Sequence, residues 1–129
     1  MSIEIKPKFG ANNNNIWVFD GREFQPKFGA NNNNIWIFDG KELKPKFSPS
    51  SNDIWVFDSR DIKPKFGASN NNTWTFDGKL LKSKFNSNNN TYEYNGKEFY
   101  PKFNSNNDNI LTPSGFVPII VLMRITGII

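Results

Sequence analysis

The sequence contains neither cysteine nor histidine among its 129 residues. Without cysteine the chain can form neither a disulfide framework nor a thiolate zinc site. Without histidine it lacks the commonest general base and the commonest metal ligand. No serine paired with a base, no phosphate-binding glycine loop and no distinctive acid pair takes their place. The composition therefore predicts a protein that is not an enzyme and uses no cofactor or metal.

Long apolar runs are also scarce, and the one strongly apolar stretch is residues 115–129. With Pro118 and Arg124 inside it, this stretch is too short for a transmembrane span. It is apolar on both faces of an extended chain, which is typical of a strand buried from both sides. We expect a buried C-terminal strand that serves as a plug, as a cap, or as a segment exchanged with another subunit.

A secretory signal is not evident at the N-terminus. Residues 2–7 include Glu4 and Pro7, where such a signal requires a basic start followed by an apolar run. The sequence leaves the compartment open, either cytoplasmic or reached by a non-classical export route.

What the sequence does contain is a tandem repeat. The dipeptide Lys-Phe recurs in steps of 19 residues, with a last step of 18, at Phe9, Phe28, Phe47, Phe66, Phe85 and Phe103. Trp17, Trp36, Trp55, Trp74 and Tyr92 recur at the same interval. Each copy ends in a link that is mostly rich in asparagine. Such a period is the signature of a repeat architecture.

Each copy has the pattern of a β-hairpin. Asp-Gly or Asn-Gly separates two short apolar segments in four copies, and these dipeptides tolerate the positive φ angles of tight hairpin turns. A two-residue turn over Asp20 and Gly21 would place Trp17 opposite Phe24. Alternation then predicts one aromatic core face, comprising Trp17, Phe19, Phe24, Pro26 and Phe28 in the first copy and reaching Phe85 and Phe103 in later copies.

The two ends of the array complement one another. Residues 3–9 match the second half of a repeat and residues 110–112 match the start of one, so Ile5 could face Leu111. Joining them would remove the exposed edges of the sheet. We therefore predict an all-β fold over residues 1–114, with five full hairpins and a sixth made from both ends, in a closed ring, barrel or propeller-like array. An open β-solenoid is the alternative.

In style the repeat resembles bacterial tandem repeats of about 20 residues with aromatic residues and Asp-Gly or Asn-Gly hairpins, such as choline-binding repeats. The shared features are the short period, the aromatic residues and the turn dipeptides. No functional residue is carried over from that resemblance.

Two interpretations apply to the aromatic and acidic residues of the repeat. Aromatic rings beside Asn and Asp are the means by which sugar sites stack and hydrogen-bond a ligand, while core packing and turn chemistry explain the same residues more simply. The candidate ligand-binding residues are Trp17, Trp36, Trp55, Trp74, Asp20, Asp39, Asp58 and Asp77.

Outward lysines form a second candidate surface, in a chain of net charge +4. A row of lysines can follow the phosphates of a polyanion, but acidic residues of the repeat lie on the same face and favour a mixed-charge surface, so nucleic acid is a disfavoured partner. The lysines concerned are Lys27, Lys46, Lys65, Lys84 and Lys102.

The function expected from these features is a non-enzymatic repeat scaffold that binds a surface, a glycan or a protein partner. A self-assembling ring or fibre subunit is the alternative, because outward apolar residues of the first three copies, such as Ile16 and Val18, form a patch that another copy could cover. A polyanion-binding protein is the second alternative.

Overall fold

The computed structural model describes residues 2–85, 91–103, 105–106 and 109–129. It shows a closed antiparallel barrel in which every strand pairs with two neighbours and the first strand pairs with the last. The strands are β1 (Ile3–Pro7), β2 (Trp17–Phe19), β3 (Glu23–Pro26), β4 (Trp36–Phe38), β5 (Glu42–Pro45), β6 (Trp55–Asp58), β7 (Asp61–Pro64), β8 (Trp74–Phe76), β9 (Leu80–Ser83), β10 (Thr91–Tyr94), β11 (Phe99–Pro101) and β12 (Leu111–Pro113). The closed arrangement is confirmed, and the open solenoid and the separate propeller-like blades are excluded.

The sixth hairpin is made by the chain ends, as the half-repeats predict. Strands β1 and β12 pair antiparallel, with Ile5 opposite Pro113 and Pro7 opposite Leu111. The main-chain N–H of Ser114 donates to the carbonyl of Glu4 at 2.8 Å. Since closure leaves no unpaired sheet edge, the array cannot extend by adding strands at its ends.

The hairpin turns differ from the predicted register. Phe19 pairs with Phe24, and Trp17 pairs with Pro26 rather than with Phe24. The side chain of Asp20 stabilises this turn, because its Oδ1 accepts the main-chain N–H groups of the residues two and three positions later. The pairing is displaced by two residues, which keeps every side chain on its predicted face.

Most of the inward side chains fall into three sets of six, with one member of each set per hairpin. The set nearest the Asn-rich links, which we name the lumen-mouth ring, is Trp17, Trp36, Trp55, Trp74, Tyr92 and Leu111. The middle set is at most 1% exposed and comprises Ile5, Phe24, Leu43, Ile62, Leu81 and Phe99. The set nearest the turns is Phe19, Phe38, Phe57, Phe76, Tyr94 and Pro113.

The predicted C-terminal strand is wrong, because the segment forms helix α1 (Ile119–Thr126). All of its first five residues are buried. Because five consecutive residues span more than one helical turn, every side of the helix is covered there. They belong to one core cluster with the inward side chains of the strands. An apolar run alone does not distinguish strand from helix. A closed barrel offers no edge to a further strand, whereas a helix satisfies its own main-chain hydrogen bonds within the apolar lumen.

Helix α1 runs through the lumen from the turns toward the links. Just before it, the main-chain N–H of Val117 donates to the hydroxyl of Tyr94 at 3.1 Å. Near its end, the guanidinium of Arg124 lies 4.2 Å from the ring centre of Trp36. In the part of the chain that the structure describes, no helix is long and apolar enough to cross a membrane.

The third turn tests the turn geometry. Ser59 adopts φ +58° at the position that Gly21 and Gly40 occupy with φ near +100° in other hairpins. We expect Ser59→Gly to stabilise the fold by about 0.5 to 1 kcal/mol and Gly40→Ser to destabilise it by a similar amount, because only glycine takes positive φ without a steric cost. Chemical denaturation measures both changes in stability. A Gly40→Ser variant more stable than the wild type would contradict the positive φ angle at this turn position.

Candidate functional site

The barrel has two chemically different ends. The tight turns lie at one end, which we call the turn end, and the links between hairpins lie at the other, which we call the link end. Links 10–15 and 29–34 carry the Asn runs, and the third link contains a short 3-10 helix, Ser51–Asp53. The candidate site is at the link end.

Six phenylalanines ring the link end, and the prediction that they belong to the core is wrong. Each is 41–54% exposed. They are the Phe residues of the six Lys-Phe dipeptides: Phe9, Phe28, Phe47, Phe66, Phe85 and Phe103. We name this set the link rim. Strand β3 ends at Pro26, as expected of a residue with no N–H to donate, so the inward–outward alternation does not continue to Phe28.

A lysine accompanies each phenylalanine of the link rim. The ammonium of the preceding residue lies 5.5–5.7 Å from the ring centre in all six copies, within the range of a cation–π contact. Five of these ammonium groups also pair with a carboxylate of a neighbouring hairpin, as in Lys46 with Glu23 at 3.0 Å and Lys84 with Asp61 at 2.8 Å. Each of these five ammonium groups therefore contacts both a ring and a carboxylate.

Of the candidate polyanion-binding lysines, only Lys102 differs from this pattern. Lys27, Lys46, Lys65 and Lys84 each contact an acidic side chain, which agrees with the mixed-charge surface. Leu80 occupies the place of that acid beside the fifth hairpin. Within the described ranges, Lys102 therefore makes a cation–π contact with Phe103 but no ion pair.

The Asn-rich links are held by their own side chains. In the first link Oδ1 of Asn15 accepts the N–H of Asn12 at 2.8 Å, and Oδ1 of Asn12 accepts the N–H of Asn14 at the same distance. The second link repeats both bonds. Several other amides are exposed and make no side-chain hydrogen bond within the described ranges, among them Asn13, Asn14, Asn32, Asn33 and Asn70.

The link rim and these exposed amides share grooves. Phe47 lines a cavity of about 430 Å³ together with Asn32 and Asn33 of the preceding link. Phe85 lines a smaller one, of about 210 Å³, together with Asn70 of its own preceding link. The same pairing of a half-exposed ring with primary amides thus occurs at two places around the barrel. A ring face and amide groups side by side can stack against and hydrogen-bond a polyhydroxylated ligand.

The larger groove has further polar and aromatic walls. Trp36, Trp55, Asp53 and Arg124 line it. One face of Trp36 is covered by the guanidinium of Arg124, whose pKa is lowered by burial. Arg124 also donates to the main-chain oxygen of Ile129 at 2.6 Å.

The predicted tryptophan and aspartate sites are not brought together. Trp17, Trp36, Trp55 and Trp74 belong to the lumen-mouth ring, where Trp36 is buried and the other three are half-buried. Asp20, Asp39, Asp58 and Asp77 lie at the turn end. Three of them, Asp20, Asp39 and Asp77, accept two main-chain N–H groups at 2.7–2.9 Å.

The link rim is the functional candidate that the sequence prediction missed. The sequence does carry a signal for it, which appears when equivalent positions of the six copies are compared. The buried middle position varies among Phe, Leu and Ile, whereas the exposed position is Phe in all six copies. Burial cannot explain that constancy, because these rings stay half-exposed.

Comparison with protein-family models, with curated proteins and with solved structures gave no match.

Substitution of Trp36 tests whether the tryptophan side chains belong to the core. Its side chain is 9% exposed, stacks on Phe24 with ring centres 6.4 Å apart and supports Arg124. We expect Trp36→Ala to lower the free energy of unfolding by about 3 to 5 kcal/mol, the usual loss for a buried aromatic. Trp74→Ala should cost less because Trp74 is half-buried. Wild-type thermal melting of the Trp36→Ala variant would show that the ring is not structural.

The turn aspartates predict a pH dependence. Main-chain hydrogen bonds hold the pKa values of Asp20, Asp39 and Asp77 below the ordinary value of 3.8. Since the folded pKa is the lower one, these carboxylates stabilise the fold above pH 3.8, and this contribution is lost as the pH falls through the folded pKa. The fifth turn makes the same bonds through the amide oxygen of Asn95.

The combined Asp20→Asn, Asp39→Asn and Asp77→Asn variant should therefore keep its fold and lose less stability than the wild type between about pH 4 and pH 2. Melting temperature measured across that range checks this. An unchanged slope would show that the three carboxylates are not the acid-sensitive groups.

Proposed function

We propose that this protein is a non-enzymatic module that attaches to saccharide surfaces through several equivalent contacts around its link end. The observation that supports the proposal is that a half-exposed phenylalanine stands beside amides of the preceding link in two grooves whose other walls differ, as Phe47 does with Asn32 and Asn33 and as Phe85 does with Asn70. The ring supplies a stacking surface for the apolar face of a sugar, and the amides supply both donors and acceptors for its hydroxyls.

Multivalency follows from the closed barrel. The link rim places six rings on a rigid frame, so one molecule could engage several sugar units of a polymer. Linked contacts raise the overall affinity far beyond that of one weak site. Shallow grooves such as these are therefore sufficient for a module that binds a surface rather than a free monosaccharide.

Self-association remains a second candidate function, and the link rim favours it too. Six half-exposed aromatic rings at one end of the barrel are apolar area that a second copy could cover. The two functions differ in their readouts, because self-association changes the mass in solution without any added ligand.

A fourfold variant tests the proposal: Phe28→Ser, Phe47→Ser, Phe66→Ser and Phe85→Ser. We expect its affinity for the best ligand on a glycan array to fall by at least about tenfold, since aromatic contacts dominate such interfaces, while its melting curve stays cooperative. Phe116→Ser is the matched control, because Phe116 is 71% exposed but lies outside the link rim, near Tyr94 of the turn-end set.

Unchanged glycan binding by the fourfold variant would refute the link rim as the binding surface. If the wild type binds no glycan but shows a concentration-dependent mass that the fourfold variant loses, self-association is the function of the rim. Light scattering on both proteins provides that measurement.

A further inference from the structure

The lumen-mouth ring departs from the repeat on one side. Four hairpins place an indole there, but the fifth has Tyr92 and the sixth has Leu111. Equivalent strand positions lie at the same level of the barrel, and protein interiors are normally filled to high density. A leucine in place of tryptophan removes the larger part of a side chain, so unfilled space is expected beside it.

A cavity of about 400 Å³ lies at this place. Its apolar walls include Pro7, Tyr92, Phe99, Pro101, Leu111 and Ile128, and its polar atoms include those of Asn109 and Thr126. Its volume falls within the range of about 300 to 1,000 Å³ that is typical of small-molecule sites. The barrel is also least tightly joined here, since β11 and β12 share the single residue pair Phe99 and Leu111, whereas the other junctions between hairpins share two or three.

The walls of the cavity favour a flat ligand. The rings of Tyr92 and Phe99 are stacked, with centres 5.6 Å apart and planes inclined by 14°. Aliphatic side chains of Leu111 and Ile128 complete the apolar lining. Because these two rings contact each other, a ligand stacks against the aromatic wall that they form rather than between them, and such a wall accepts a planar ring better than a branched or globular molecule.

We propose that this cavity binds a planar, largely apolar ring compound, of the size of indole or somewhat larger, that carries a polar group. The ring would take the place of the indole that the repeat supplies elsewhere, and its polar group would contact Asn109 or Thr126. Small-molecule sites are typically clefts lined mainly by apolar side chains, with a few polar groups that fix the orientation of the ligand. This site belongs to the inward lumen-mouth ring and is distinct from the exposed link rim.

Indole is the probe, because it is the group that Leu111 lacks. Ligand-observed NMR or calorimetry on the full chain should show saturable binding with a dissociation constant below about 1 mM. Leu111→Trp should reduce the affinity for indole by at least about tenfold, because its own side chain fills the cavity. Its melting temperature should stay equal to or exceed that of the wild type, as is common when a cavity is filled.

Two further variants serve as controls for indole binding. Leu111→Phe fills the cavity in part and should reduce affinity by an intermediate factor, which keeps the test decisive if Leu111→Trp does not fold. Phe47→Ser alters the link rim and should bind indole as the wild type does. The proposal would be overturned if indole does not bind saturably to the wild type. It would also be overturned if both Leu111 variants bind indole with the affinity of the wild type. Glycan binding should be unaffected by Leu111→Trp, so this proposal and the saccharide proposal fail independently.

Discussion

The packing of helix α1 inside the barrel is the interaction on which the rest of the structure depends. Each strand has only three to five residues, and an isolated two-stranded hairpin is at best marginally stable in water. The inward side chains of the hairpins form one cluster with Val117 and with Ile119 to Met123. The six hairpins therefore share a common core that none of them could form alone, and the closing pair of β1 with β12 completes the wall around it.

Regular and irregular positions of the repeat have separable roles. The turns, the links and the link rim are close to uniform, which yields a surface of equivalent contacts around one end of the barrel. The departures are Tyr92 and Leu111 in the lumen-mouth ring and the third link with its 3-10 helix. Tyr92 and Leu111 border the cavity of about 400 Å³, and the third link borders the groove of Phe47. The two proposed sites therefore differ in kind, since the saccharide site uses positions that repeat around the barrel and the ring-compound site depends on a departure from the repeat.

Much of the fold could be predicted from the sequence. Periodicity gave the hairpins, alternation gave the inward positions of Trp17, Phe19 and Phe24, and the complementary half-repeats gave closure. Three features did not follow from these patterns. The turn lies between Asp20 and Glu23 rather than over Asp20 and Gly21, and the dipeptide preference does not specify which of the two forms. The position of Phe28 depends on the chain leaving the sheet after Pro26. The helical form of residues 119–126 depends on the absence of a free edge, a property of the closed barrel as a whole.

The most direct test of this account is removal of residues 115–129, followed by thermal melting and light scattering. Because helix α1 fills the lumen shared by all six hairpins, the truncated chain should lose its cooperative unfolding transition and should unfold or aggregate. A truncated chain that stays folded and becomes monomeric from a larger assembly would mean that the segment packs into a neighbouring subunit. Unchanged stability together with unchanged mass would contradict the account, since the barrel would then stand without its central helix.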